Sequence, residues 1–314
     1  MLRSQWYAVC PEKRIRRKPV GLRRFGRPLV LWRDAAGEVR CAVDACAHRG
    51  AALSRGRVVD GCLTCPYHGL AFDGSGHCAR VPAHPDDAIS PTLRLKCWPT
   101  RVARGLVWVF YGDAADAGPL PWDDAFEAEL SGEGGAFVEM DDILPVSYLR
   151  VMENLTDFHH VAHVHRFTAP SPARLLAFDA ARNGRHIRFE AELGEPDGGR
   201  RLRATTHIVA PCLAVLHFEG LARFAVVATP VDDKTVWLFS RYTQTMVRVP
   251  GLARLLTWIF GMFDYRLLQR WQDLPVWRSQ RLADPADIGR YALLPADEGV
   301  RLYFDAHRSL SHGD

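Results

Sequence analysis

The sequence predicts an α+β fold in two parts: an all-β N-terminal domain over residues 1–115, and a C-terminal domain over residues 136–314 with an antiparallel sheet and flanking helices. Three observations carry this. Short β-branched and aromatic runs, set between Gly, Pro and Asp turns, fill the first third of the chain. Residues 113–135 are rich in Gly, Pro, Asp and Glu, which places a linker at 116–135. From 136 onward the pattern changes to a polar helical stretch, then a series of strand-like runs, then a long helical segment.

Taken in order, Leu29–Trp32, Val39–Val43 and Leu106–Phe110 read as strands, and Asp73-Gly74-Ser75-Gly76 as a hairpin turn. A small antiparallel scaffold of this kind presents functional groups on its loops. Residues 147–165 suggest a helix carrying many polar groups. Ile187–Ala191, Leu202–Ile208, Ala214–Phe218, Phe224–Ala228 and Val236–Tyr242 follow as strands of one antiparallel sheet. Residues 251–283 then look helical, with no internal proline before Pro275. Internal repeats and low-complexity segments are absent from the sequence.

The bulk properties bound the function. The 314 residues are 48% apolar, enough to bury a sizeable core, and the net charge of +4 comes from 40 basic and 36 acidic residues. That balance does not point to nucleic acid. The basic run Lys13-Arg14-Ile15-Arg16-Arg17-Lys18 reads as a solvated loop, or as a dock for an acidic ferredoxin. Six of the eight cysteines (Cys10, Cys41, Cys62, Cys78, Cys97 and Cys212) show no paired spacing and suit thiols of a reducing cytosol. Arg3, Gln5 and Glu12 interrupt any leader-like apolar stretch, and no apolar run reaches the roughly 18 residues of a span. A cytoplasmic chain is expected. The longest uncharged apolar stretch, Leu255–Phe263, reads as a buried helix, a substrate entrance, or a peripheral contact with a membrane surface.

The remaining cysteines belong to two short clusters, Cys46-x-His48 and Cys65-x-x-His68, followed by Gly50 and Gly69. Each half supplies one thiolate and one imidazole. One iron of a [2Fe–2S] cluster can then take both sulfurs and the other both nitrogens. Zinc fingers more often pair Cys with Cys and His with His, so mixed-ligand zinc is the alternative.

This segment resembles the Rieske domain of Rieske non-haem iron oxygenases. The respiratory Rieske proteins carry an extra Cys after each element, forming a disulfide beside the cluster. Here Arg49–Ala51 and Gly69–Ala71 hold no Cys, and Cys62 precedes the second element. The stretch Tyr67-His68-Gly69-Leu70-Ala71-Phe72-Asp73 is similar to the oxygenase version. The resemblance implies a low-potential cluster that passes electrons to a catalytic iron.

Residues 153–165 hold His159, His160, His163 and His165 beside Asp157. On an ideal helix His159 and His163 share a face, whereas His160 and His165 stand roughly 140° apart and converge only if the helix ends or bulges between them. Asn154-x-x-Asp157-x-x-His160-x4-His165 resembles the oxygenases' iron-binding motif, which implies His160 and His165 as ligands. Gln272-Asp273-Leu274-Pro275-Val276-Trp277 is similar to the family's Asp-x-Pro-Ile-Trp element, implying Asp273 as the third ligand of a facial triad. Asp264 and Asp284 are the other acids considered.

The resemblance further implies that Asp157 bridges a cluster His of one subunit to an iron-bound His of its neighbour, with Asn154 near the iron. A head-to-tail homotrimer would follow. The chain has no Gly-x-Gly-x-x-Gly fingerprint, so a separate reductase, with or without a ferredoxin, would deliver electrons from NAD(P)H. The resemblance to single-subunit monooxygenases and demethylases implies O₂-dependent oxidation of a hydrophobic molecule, with a sterol or other polycyclic lipid as first choice. A small aromatic or heterocyclic ether or amine is the alternative. A Rieske-type electron carrier, or a metal-binding protein without catalysis, are the competing classes.

Overall fold

The computed structural model describes residues 1–123, 126–127, 137–165, 169, 172–244, 246–247, 249–280 and 285–312. The backbone divides into two compact units, Arg3–Leu120 and Pro121–Asp314. Within the predicted linker, residues 124, 125 and 128–135 lie outside the described residues.

The first unit is built from three small antiparallel sheets. Gln5–Pro11 and Thr100–Ala103 flank Leu106–Tyr111 in one. The second joins Val20–Arg24, Arg27–Arg33, Val39–Val43 and Cys97–Trp98. The third joins Arg57–Val59, Cys62–Thr64, Ala71–Phe72 and Cys78–Arg80. Val30, Trp32, Leu53, Leu63 and Phe72 bury their side chains together with Cys46 and Cys65. The loops bearing those cysteines are thereby pinned to the core. At the Asp73–Gly76 turn, Asp73 Oδ1 accepts from the Ser75 and His77 N–H groups at 2.8 and 3.0 Å, and Gly76 takes the left-handed conformation. In the basic run Ile15 is buried, while Lys13, Arg14, Arg16, Arg17 and Lys18 are exposed.

The second unit centres on a seven-stranded antiparallel sheet. Its order is Phe137–Leu144, Val236–Gln244, Ala222–Pro230, Leu213–Phe218, Arg201–Val209, His186–Gly194 and Arg174–Asn183. Five of these contain the predicted strands; the two edge strands were not anticipated. Helices α1 (Tyr148–Thr156) and α5 (Glu298–His312) pack on this sheet and on each other. Gly299 permits that approach, since a Cβ there would stand 2.5 Å from the Thr156 carbonyl oxygen.

Two helical expectations change. The stretch 147–165 is not one helix: α1 ends at Thr156, and one further turn, α2 (Val161–Val164), follows an irregular Asp157–His160. The stretch 251–283 begins as α3 (Pro250–Phe263), widens into π-helical turns over Asp264–Asp273 and returns to α geometry in α4 (Leu274–Ser279). Residues 281–283 lie outside the described residues. α3 is neither wholly buried nor wholly exposed: Ala253 and Thr257 are buried, while Leu255, Trp258 and Ile259 face outward. Among the described residues no helix is long and apolar enough to cross a membrane.

Candidate metal centres

The two Cys/His loops of the first unit are built alike. In each, the Cys N–H bonds to the carbonyl five residues on, at 2.8 Å: Cys46 to Ala51 and Cys65 to Leu70. In each, the glycine four residues on returns its N–H to the Cys carbonyl, at 2.8 Å for Gly50 and 3.2 Å for Gly69. Both glycines sit at positive φ, +75° and +71°, which a side chain resists. The fold thus presents two equivalent loops, one Cys and one His from each.

Their donors separate by type. Cys46 and Cys65 are buried at 4% and 3% exposure, whereas His48 and His68 are exposed with ring centroids 4.7 Å apart. Burial pushes the Cys46 thiol up to about 11, and its neighbour Cys65 adds to this. A sulfur pair inside and a nitrogen pair outside fit a binuclear cluster with one iron facing each. The donor sets of a mononuclear ion crowd one point; among the described residues the three-donor group of that kind is elsewhere. No disulfide joins any of the eight cysteines.

That group is His160, His165 and Asp273, whose ligand atoms all lie within 4.8 Å of one another. The irregular Asp157–His160 segment brings it about. His160 precedes α2 and His165 ends it, so the two histidines bracket a single turn and their rings stand 5.2 Å apart. Each imidazole is oriented through its Nδ1. His160 Nδ1 lies 2.6 Å from the Asp157 carbonyl, and His165 Nδ1 lies 2.8 Å from Gln272 Oε1. Donation there leaves both Nε2 atoms as the metal-facing nitrogens. They lie 4.0 and 3.2 Å from Asp273 Oδ1, which is buried and accepts no hydrogen bond. A carboxylate oxygen orphaned between two imidazole nitrogens is the donor set of a divalent iron site. Burial opposes a charge on His165, yet the Asp273 carboxylate outweighs it and raises the imidazole's proton affinity, so a proton can stand in for the cation.

The π turns explain how Asp273 arrives there. Asp264 and Asp273 are nine residues apart, which on an α-helix is about two and a half turns and opposite faces. Both are buried. The wider i→i+5 coil brings both carboxylates inward. Asp264 stands outside the three-donor group; burial pushes it up to about 6 although Tyr242 and Gln269 donate to it. Asp284 lies outside the described residues. His159 and His163 pair with each other instead, their ring centroids 5.4 Å apart. Asn154 Nδ2 reaches His160 Nε2 at 3.2 Å. Asp157 Oδ1 accepts from the His159 and His160 N–H groups. Burial works against its charge, and bonding to His160 and these N–H groups outweighs it, so the carboxyl sits below its usual range.

The metal-facing atoms open onto a cavity of ≈ 170 Å³. Its walls are mostly apolar, with Leu216, Phe218, Phe224 and Phe260 among them, and Asn154, Asp157, His160, His165 and Asp273 at one end. Phe260 stacks on Phe224 with centroids 5.5 Å apart. Trp277 also lines the cavity, and its Nε1–H is buried without an acceptor. Sequence reasoning missed Gln272 as the group that orients His165; it stood beside the predicted ligand with no role given.

Two iron-binding arrangements of different kinds, one of them at the wall of an apolar cavity, define a two-centre iron protein. Residues 5–99 match the Rieske [2Fe-2S] domain family. Over 172 residues the chain is 35% identical to the 4beta-methylsterol monooxygenase of Methylococcus capsulatus, covering 53% of this chain and 46% of that one. Over 174 residues it is 34% identical to the oxygenase component of dicamba O-demethylase from Stenotrophomonas maltophilia, covering 55% and 50%. The chain thus spans about half the length of the curated relatives it matches. Among solved structures, dicamba monooxygenase bound to 3,6-dichlorosalicylic acid superposes with a TM-score of 0.84 at 22% identity, over 99% of this chain and 98% of that one. NdmB of Pseudomonas putida CBB5 superposes with a TM-score of 0.77 at 26% identity, over 98% and 91%. Residues 5–99 are thus a Rieske [2Fe–2S] domain, and these similarities together support a Rieske non-haem iron oxygenase with a [2Fe–2S] cluster and a mononuclear non-haem iron as its cofactors.

Proposed function

We propose that the chain is the terminal oxygenase of a multicomponent system that oxidises a hydrophobic small molecule with O₂, by hydroxylation or oxidative demethylation. The observation that carries this is the His160–His165–Asp273 group at the end of an apolar cavity. When bound, the cluster supplies single electrons and the mononuclear iron activates dioxygen. Cys46, His48, Cys65 and His68 hold the cluster, and His160, His165 and Asp273 hold the iron. The Asp157 carbonyl and Gln272 keep the Nδ1 protons of the two histidines, so that both Nε2 atoms remain available. Asn154 closes the polar side of the site. The apolar walls exclude water from the reacting end and position the substrate. One oxygen atom enters a substrate C–H bond and the other leaves as water. The electrons come from NAD(P)H through a separate reductase, with or without a ferredoxin.

Cavity size weighs on substrate class. An apolar cavity of about 150 Å³ accommodates a benzene-sized molecule. At ≈ 170 Å³ the cavity here favours a small aromatic or heterocyclic ether or amine over a four-ring sterol. The sterol reading, which the 4beta-methylsterol monooxygenase similarity supports, requires the cavity to enlarge on binding. We place the working assembly as a cytoplasmic homotrimer, in which Asp157 links the cluster of one copy to the iron of the next.

A panel of aromatic methyl ethers, N-methyl heterocycles and 4-methylsterols, with a surrogate reductase and NADH, tests the proposal. Substrate-dependent oxygen uptake matched by product is expected from the small-ring members. Uptake released entirely as peroxide with every member, from protein carrying both iron centres, would remove the oxygenase assignment.

A further inference from the structure

The cavity has a second polar pole. Tyr242 Oη and Gln269 Nε2 both donate to Asp264 Oδ2, each at 2.7 Å, and all three residues line the cavity. This leaves Asp264 Oδ1 with no donor among the described residues. Gln269 Oε1 is likewise buried with no donor. Its amide orientation is fixed, because the opposite one would set an oxygen against the Asp264 carboxylate. Asp264 itself is 8% exposed. An apolar cavity therefore carries two unpaired acceptors at one place, outside the His160–His165–Asp273 group.

Buried acceptors without donors are unfavourable unless a partner arrives. From this we propose that Asp264 and Gln269 form a specificity subsite for a neutral O–H or N–H donor on the substrate's apolar body. The proposal rests on the oxygenase reading and narrows its substrate class. A ligand with a hydroxyl or ring N–H there satisfies Asp264 Oδ1 or Gln269 Oε1. An isostere capped by methyl leaves both unpaired and loses affinity steeply. Tyr242 acts through Asp264, holding its carboxylate, and is a positioning residue.

The test uses two matched probe pairs, 2-naphthol against 2-methoxynaphthalene and indole against 1-methylindole. Dissociation constants are measured by calorimetry on full-length protein whose cluster spectrum and iron content have been verified. The donor member of at least one pair should bind about tenfold tighter. Which pair discriminates tells O–H from N–H. Asp264→Asn gives the sharper readout. Its amide oxygen must remain where Tyr242 and Gln269 donate, so its NH₂ faces the cavity as a donor. The preference should then vanish or reverse toward 2-methoxynaphthalene. Gln269→Met, which keeps the bulk and removes the acceptor, should weaken the preference without reversing it. Equal affinities within both pairs for the parent protein would overturn the subsite. So would a preference unchanged in Asp264→Asn, or a parallel loss for both members of a pair, the mark of a merely structural role. Protein that never acquires the mononuclear iron fails the oxygenase reading instead.

Discussion

His165 and Gln272 are joined by a 2.8 Å contact between Nδ1 and Oε1 across 107 positions of sequence. Gln272 is the residue before Asp273, so one π turn supplies both a carboxylate and the group that aims its neighbouring imidazole. The tautomer of His165 is therefore set by the same segment that completes the three-donor group.

Replacing Gln272 by Leu should leave His165 able to rotate and to carry its proton on either nitrogen. Iron affinity should fall by about 10- to 100-fold, the range typical for partners of this kind. Gln272→Glu, which still accepts from Nδ1–H, should retain most of it. Chelator competition monitored by iron content checks both, and an unchanged affinity in Gln272→Leu would show that the contact does not orient the site.

His160→Ala, His165→Ala or Asp273→Ala should each empty the mononuclear site and leave the mixed-ligand cluster signal in electron paramagnetic resonance intact. His163→Ala should keep both centres, because His163 is exposed and pairs with His159. Loss of the iron in His163→Ala with retention in His165→Ala would make the i,i+4 pair the ligands.

The choice between those pairs marks the limit of what the sequence could express. Helical geometry by itself favours His159 and His163; the break at Asp157–His160 reverses it, and only the motif resemblance pointed that way. The five inner strands were legible because β-branched residues buried in a sheet leave a dense apolar signal. The edge strands Phe137–Leu144 and Arg174–Asn183 were not: Glu139, Asp141 and Asp142 dilute the first, and Arg174, Asp179 and Arg182 the second. An edge strand carries such charges to discourage further pairing. The π turns over Asp264–Asp273 alter only the hydrogen-bond register, which has no compositional mark. The Asp264–Gln269 pole was illegible for the same reason.

Glu153 offers a test through pH. Burial pushes its carboxyl up to about 7 against the pull of Arg150, and the charge of Asp157 adds to the rise. The folded form thus holds a proton that the unfolded chain releases near its ordinary value of 4.5. The associated stability is fully present below about pH 4.5 and is lost as pH rises through about 7. Relative to Glu153→Gln, the parent protein should lose about 3 kcal/mol across that window. Chemical denaturation of both proteins at pH 5 and pH 8 measures it. A constant difference between them would mean that Glu153 remains ionised beside Arg150 throughout.

The assembly can be tested through Asp157. Its carboxylate sits beside His160, and its side chain remains 29% exposed, open to a partner. If electrons cross between copies, a protomer lacking its cluster and one lacking its iron should complement each other. Co-expressed His68→Ala and Asp273→Ala chains would form mixed rings. Some interfaces would then join an intact cluster to an intact iron site, and product should appear although each variant alone is inactive. Adding Asp157→Asn to the Asp273→Ala chain should leave that rescue standing, since that chain contributes only its cluster. Adding it to the His68→Ala chain, which contributes the working iron, should abolish rescue. Native mass spectrometry must first establish that mixed oligomers form. No product from verified mixed rings would mean that electrons stay within one chain, and Asp157 would then serve only to hold the His159–His160 turn.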